Sequence, residues 1–422
     1  MLERIHRSTT LLALAVTACG VGTSDASRGS TVRDSAGIQI VENTQPGWSA
    51  ANAWRLADAP ATTMGAAEGD PDHEFYQVRG AVRLSDGTIV VANGGTHQLR
   101  FYGPDGALTS TAGRQGSGPG EFEMLASLEK LADDSLLALD MRHRRLSVFT
   151  ADGQHVRDVP LQGSSPLLFV TLIGPLGDGT FLASAPNVRM GPDLFNRPLG
   201  PTRDSIQLVR VDASGATVDT LGVFPGPRVN VKSVDMGPRT MPMGVPVVFS
   251  SMTVTAAAEG VAYVGITDTY EIAAYAPTGE VRRIIRKTHA PRVVTEADKE
   301  RYQELIRSRA APTGNAQMRA MMQQMSAVMA DAEFAETFPA FGRMLVDAGG
   351  NLWVSDSRPS DDEPQHWTVF DSDGRLLGGT TIPAKLVVTE IGADYVLGHQ
   401  TDELEIQHIL LYDLIKPEAA SR

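Results

Sequence analysis

Short apolar runs with no polar alternation punctuate this chain at regular intervals. Ile89-Val90-Val91 is the first, followed at a fixed distance by Leu136-Leu137-Ala138-Leu139. A run of that kind marks a strand covered on both faces. Around the first run stand Arg79-Gly80-Ala81-Val82-Arg83-Leu84, the turn Ser85-Asp86-Gly87, the strand Gln98-Leu99-Arg100-Phe101-Tyr102 and the turn Pro104-Asp105-Gly106. The same order returns with Leu128 to Leu131, Asp133-Asp134, Arg145-Leu146-Ser147-Val148-Phe149 and Asp152-Gly153. Asp86 and Asp133 stand 47 residues apart, and so do Asp105 and Asp152. Two landmarks that shift together define a repeating unit.

Four more units follow. One holds Asp178-Gly179, Gln207 to Val211 and Ser214-Gly215; the next holds Glu259-Gly260, Glu271 to Tyr275 and Thr278-Gly279. The fifth has Gly349-Gly350, Leu352-Trp353-Val354, Thr368-Val369-Phe370 and Asp373-Gly374, and the sixth has Tyr395-Val396-Leu397 and Ile409 to Tyr412. Each unit predicts four short strands joined by tight turns, in which Asp-Gly supplies positive φ. Sheets stacked side by side provide the double burial, so the pattern predicts an all-β, six-bladed β-propeller. The last unit runs out near Leu414, and Trp54-Arg55-Leu56 to Met64-Gly65 is placed to complete it. Ile38 to Val41 is a further strand, packed on an outer edge.

Two intervals break the period. Residues 186–205 and 225–247, rich in Pro, Gly and Met, read as long loops. Residues 288–343 predict a helical insert between the fourth and fifth units. Thr295-Glu296-Ala297-Asp298 is a helix start, continuing to Arg309 and stopped by Pro312. Met318, Met321, Met322, Met325 and Met329 share one face of a second helix. That stripe can line an adaptable apolar surface, but simple packing on the sheets is the preferred expectation.

Composition adds a compartment. The one cysteine, Cys19, closes a leader in which Arg4, His6 and Arg7 precede the apolar run Leu11 to Val16. That run is too short to span a bilayer and reads as an export signal. Val16-Thr17-Ala18-Cys19 is similar to a bacterial lipobox, which implies acylation of Cys19 and a membrane anchor. The expected organisation is a signal peptide at 1–18, a flexible tether at 19–36 and the propeller at 37–422. Cleavage leaves no free thiol for catalysis or metal binding. Acidic residues (50) outnumber basic ones (37), for a formal charge of −13, which argues against a nucleic-acid partner.

The Asp-Gly turns, with Gly118-Pro119-Gly120-Glu121-Phe122 before the second unit, resemble NHL-type propeller repeats. Asp34-Ser35-Ala36-Gly37-Ile38, Arg79 to Leu84, Pro339-Ala340-Phe341-Gly342-Arg343 and Asn351-Leu352-Trp353-Val354 are similar to uncharacterised six-bladed propeller lipoproteins of bacteria. The resemblance implies a fold; the export route and the anchored, cell-envelope location rest on the leader and its lipobox-like close. The resemblance implies no activity, because propellers host binding proteins and enzymes alike. Peptidyl-hydroxyglycine amidating lyases share the architecture, but their active-site pattern has no counterpart here.

Propeller geometry places the loops between second and third strands, and the connections between units, on one end. Four histidines are expected there, His97, His143, His366 and His399. So are Glu68, Asp70, Asp72, His73 and Glu74, and the acidic loop Asp361, Asp362 and Glu363. Converging imidazoles and carboxylates can hold a divalent metal such as zinc. The plainer expectation is solvated loop residues, since these loops stand off the axis. Asp371-Ser372-Asp373-Gly374 is not a calcium loop, because Ile382 stands where a glutamate is required. Zincin, serine-hydrolase and phosphate-loop motifs do not occur. Asn93, Asp140 and Asp356, which end inner strands, are expected to cap loops. The reading that results is a monomeric, membrane-anchored binding or scaffolding protein for a protein, peptide or glycan. The alternative is a metal-assisted hydrolase or lyase.

Overall fold

The structure, a computed structural model, describes residues 29–417 apart from 67–68, 162–169, 187–196, 236–239, 310–315, 359 and 361. The leader, Cys19, Glu68, Asp361 and Pro312 lie outside the described residues. Six sheets hold the strands. The first consists of Val78–Arg83, Ile89–Asn93, Gln98–Tyr102 and Leu108–Ala112. The second consists of Leu125–Lys130, Leu136–Asp140, Arg145–Phe149 and His155–Pro160. Thr171–Pro175, Thr180–Pro186, Gly200–Asp212, Thr217–Asp235 and Thr240–Pro246 form the third. The fourth has Thr253–Ala258, Val261–Ile266, Glu271–Tyr275 and Val281–Lys287, and the fifth Met344–Val346, Leu352–Ser355, Gln365–Phe370 and Leu376–Ile382. Val387–Ile391, Tyr395–Thr401 and Gln407–Ile415 form the sixth. Its outer strand pairs with Arg55–Leu56 and Thr62–Met64, so strands that precede the first sheet in sequence complete the last one.

The first strands of consecutive sheets are neighbours in order, and the sixth returns to the first. The sheets therefore form a closed, propeller-like ring around an axial channel. Burial follows from that closure. Val90 and Ala92 belong to the apolar cluster between the first and second sheets, whereas Ile89 and Val91 belong to the one between the sixth and first. Leu136 and Ala138 likewise face one neighbour, and Leu137 and Leu139 the other. Each second strand is apolar on both faces because it has a sheet on either side. The turns are set by their aspartates: Asp86 Oδ1 accepts the Thr88 amide at 2.8 Å, and Gly87 adopts φ +93°.

Two expectations need correction. Residues 30–35, read as tether, form the strand Ser30–Ser35, which hairpins onto Ile38–Asn43. The latter pairs in parallel with the outer strand of the fourth sheet. The described parts of the two long loops are mostly strand: Gly200–Asp212 pairs with Thr217–Asp235, which continues to pair with Thr240–Pro246. The reason is the alternation Val229-Asn230-Val231-Lys232, in which Val229 and Val231 are buried. A period of two outweighs scattered Pro and Gly, which three register shifts accommodate.

The insert carries two helices, α1 (Glu296–Arg309) and α2 (Ala316–Ala330). Thr295 caps α1: its Oγ1 accepts the Asp298 amide at 3.3 Å, and Asp298 Oδ2 accepts the Thr295 amide at 3.0 Å. Val328 and Met329 of α2 pack with Met243, Val245, Phe249 and Phe334. The side chains of Met318, Met321 and Met322 lie outside the described part.

Candidate functional site

Strand register sorts side chains by height along the channel. Val78 lies opposite Asn93, Leu125 opposite Asp140 and Val387 opposite His399. This is the loop end; the Asp-bearing turns occupy the other. At the loop end the last residues of second strands hold the connections between sheets. Asn93 Oδ1 accepts the Tyr76 amide at 2.9 Å, and its Nδ2 donates to the Glu74 carbonyl at 3.2 Å. Asp140, fully buried, accepts the amides of Glu123, Met124, Arg142 and His143. Burial alone would raise its pKa; the His143 ring and these amides more than offset that and hold it below the carboxylate range.

The four histidines do not converge. His143 is committed to Asp140, with its Nδ1 at 2.8 Å from Oδ2. His97 sits in a left-handed turn at φ +58°. His366 and His399 lie in strands, not loops; His366 is exposed, with its Nδ1 3.3 Å from Thr381 Oγ1. Among the described residues no three His, Cys, Asp or Glu side chains are arranged to hold a metal ion. Repeat-equivalent height does not give equal distance from the axis, and zinc needs its ligands within about 2 Å of one point.

The acidic candidates are dispersed too. Asp70, Asp72, His73 and Glu74 run down the flank of the first sheet. Tyr102 donates to the Asp72 carbonyl at 2.6 Å, and His73 Nε2 lies 2.9 Å from the Gly106 carbonyl oxygen, at the turn end. The Gly106 carbonyl, with Asp70 and against the cost of burial, holds His73 above the ordinary imidazole range. Arg100 ties the segment down through the carbonyls of Pro71, Asp72 and Glu74. Glu363 pairs with Arg301 of α1 at 3.0 Å, and Asp362 with Lys385 at 3.2 Å. These carboxylates join parts of the fold.

The concentration of chemistry is inside the ring. A channel of about 520 Å³ is walled by the six inner strands and includes Arg79, Ser127, Glu129, Lys130, Arg343, Glu390 and His399. At the loop end Arg343 precedes the inner strand of the fifth sheet and His399 lies on the second strand of the sixth. Arg343 is open to solvent although protein surrounds it, and it donates to the Val388 carbonyl at 3.1 Å. Among the described residues no carboxylate pairs with it. Burial, then the Arg343 charge, pushes His399 down to about 4, so its ring is neutral at pH 7. Its Nδ1 and Ser127 Oγ are buried atoms without a hydrogen-bond partner among the described residues.

Nearer the turn end, Lys130 Nζ lies 2.6 Å from Glu390 Oε1, and Glu390 Oε2 accepts the Arg83 amide at 2.6 Å. Beside them burial, then the Glu390 charge, pushes Glu129 up to about 8, so it carries a proton at neutral pH. Of these residues the sequence reading singled out only His399. The available signal was a charge on an inner strand, as in Leu128-Glu129-Lys130 and Thr389-Glu390-Ile391, where a packed core would have none.

No protein-family profile matches the chain, and no curated protein matches it. Solved structures similar to it include a member of the DUF4221 family from Bacteroides vulgatus, at 10% identity over 86% of this chain and 99% of that one, with a TM-score of 0.48. A protein described as exported from Bacteroides fragilis matches at 12% identity over 89% of this chain and 100% of that one, TM-score 0.45. Virginiamycin B lyase from Staphylococcus aureus matches at 10% identity over 84% of this chain and 99% of that one, TM-score 0.35.

Proposed function

We propose that this chain is an exported six-bladed β-propeller, anchored to the cell envelope through Cys19, that binds a partner in its axial channel. One observation carries the binding reading. The channel keeps a solvent-open arginine and two unpartnered buried polar atoms where a packed propeller core would place apolar side chains. The partner is a small molecule, or the end of a peptide or glycan, because about 520 Å³ admits no folded domain. The leader and its lipobox-like close support the export and the anchor.

The test uses the mature protein incubated with peptide and glycan fragments of the bacterial envelope, re-isolated, and analysed by mass spectrometry. A compound that comes with the wild type and is lost from Thr389→Trp, which fills the channel, supports the reading. Failure to retain any compound overturns it. A second reading, a hydrolase or lyase, is favoured by Glu129: a carboxyl that keeps its proton at neutral pH can deliver it to a leaving group.

A further inference from the structure

The charges lining the channel do not balance. Lys130 is matched by Glu390, and Glu129 is protonated at neutral pH. Arg79 donates to Gln77 of its own segment at 3.1 Å. Arg343 has a carbonyl partner but, among the described residues, no counter-charge. A guanidinium held by one carbonyl and open on its other edge is a preformed seat for a planar anion, since its paired N–H groups match the two oxygens of a carboxylate. His399 stands next to it with an unpartnered Nδ1 and a neutral ring, so it adds a hydrogen bond without adding charge.

The surrounding walls are apolar. Ala81, Leu128, Val254, Met344 and Val388 line the same space. Val387, which begins an inner strand at the loop end and lines the channel, remains 41% exposed. Apolar wall beside a cation suits an apolar group carried next to an anion.

We propose that the loop end of the channel binds a small ligand that joins a carboxylate to an apolar body, with Arg343 seating the carboxylate and the channel wall covering the body. His399 completes the seat. This rests on the channel-binding reading above and narrows it to one ligand class.

The test compares 4-phenylbutyrate with 4-phenylbutyramide, of nearly the same shape but without charge, against the mature protein at pH 7 by calorimetry and saturation-transfer NMR. The acid is expected to bind at least tenfold more tightly than the amide. Arg343→Gln should remove that preference, and Arg343→Lys, which keeps the charge but not the fork, should fall between. Equal binding of acid and amide, or binding of neither, overturns the proposal without use of any variant. So does an unchanged preference in a folded Arg343→Gln protein. If a compound without a carboxylate is retained from the envelope fragments and lost from Thr389→Trp, the ligand class fails while the channel-binding reading stands.

Discussion

Leu128 and Glu129 are adjacent in one inner strand and both border the channel. Leu128 also packs in the cluster between the first two sheets, whereas Glu129 belongs to the channel alone. There it faces Glu390, with Lys130, Arg79, Arg343 and His399 as the other titratable groups of the lining. An unfolded glutamate releases its proton near pH 4.3, whereas folded Glu129 holds it up to about 8. Between those values the folded state binds more protons than the unfolded one. Stability contributed at this site therefore falls as pH rises from about 4.5 to 8, and is level above that. Glu129→Gln removes the dependence. Urea unfolding at pH 5 and at pH 8 should show the variant gaining on the wild type by about 1–4 kcal/mol at the higher pH, allowing for water in the channel. Parallel curves for the two proteins would place the proton elsewhere. The sequence carried one signal for this residue, a charge on an inner strand, but a strand pattern gives which face a side chain takes and not whether that face is filled.

The elements most legible in the sequence were those whose signals are local. The helix start at Thr295 followed from residue types alone, since the partners of a capping pair stand only three positions apart. The loop-capping roles of Asn93 and Asp140 were legible for the same reason. The N-terminal hairpin was not, because its anchor is made by distant residues. Asn43, nearly fully buried, donates to the carbonyls of Arg286 and Gly374 at 3.0 Å each and accepts the Leu376 amide at 2.8 Å and the Ser30 hydroxyl at 2.6 Å. One side chain thus joins the hairpin to the fourth and fifth sheets. Asn43→Ala would leave those groups buried without a partner, at a cost of about 2–4 kcal/mol. The loss should show as a lower urea midpoint. Asn43→Asp is a sharper variant, because a carboxylate cannot donate to two carbonyls; if it unfolds at the wild-type midpoint, the anchor carries no weight.

At the scale of the molecule, the 47-residue period was legible because every unit must bury both faces of its second strand. The period assigns each loop an end of the ring but not a distance from the axis, so four histidines at matched heights lie apart while an unflagged arginine reaches the channel. Closure imposes a separate condition. Six sheets in a row would leave the faces of the first and last uncovered, and here the covering cluster includes Met64, Leu397, Ile409 and Leu411 together with Ile89 and Val91. Met64 belongs to Thr62–Met64, which enters the sixth sheet opposite Ile409 to Leu411. A strand from near the start of the fold is therefore paired with one from its end, and separating them requires opening the ring. Removing residues 53–66 should cost the closure, whereas removing 29–45 should cost only an outer hairpin and its anchor. The first deletion is expected to replace a single cooperative unfolding transition with a broad one at lower temperature and to expose surface that binds a hydrophobic dye. The second is expected to keep one transition with a reduced midpoint. A single sharp transition in the first variant would mean that the six sheets hold together without their shared strand.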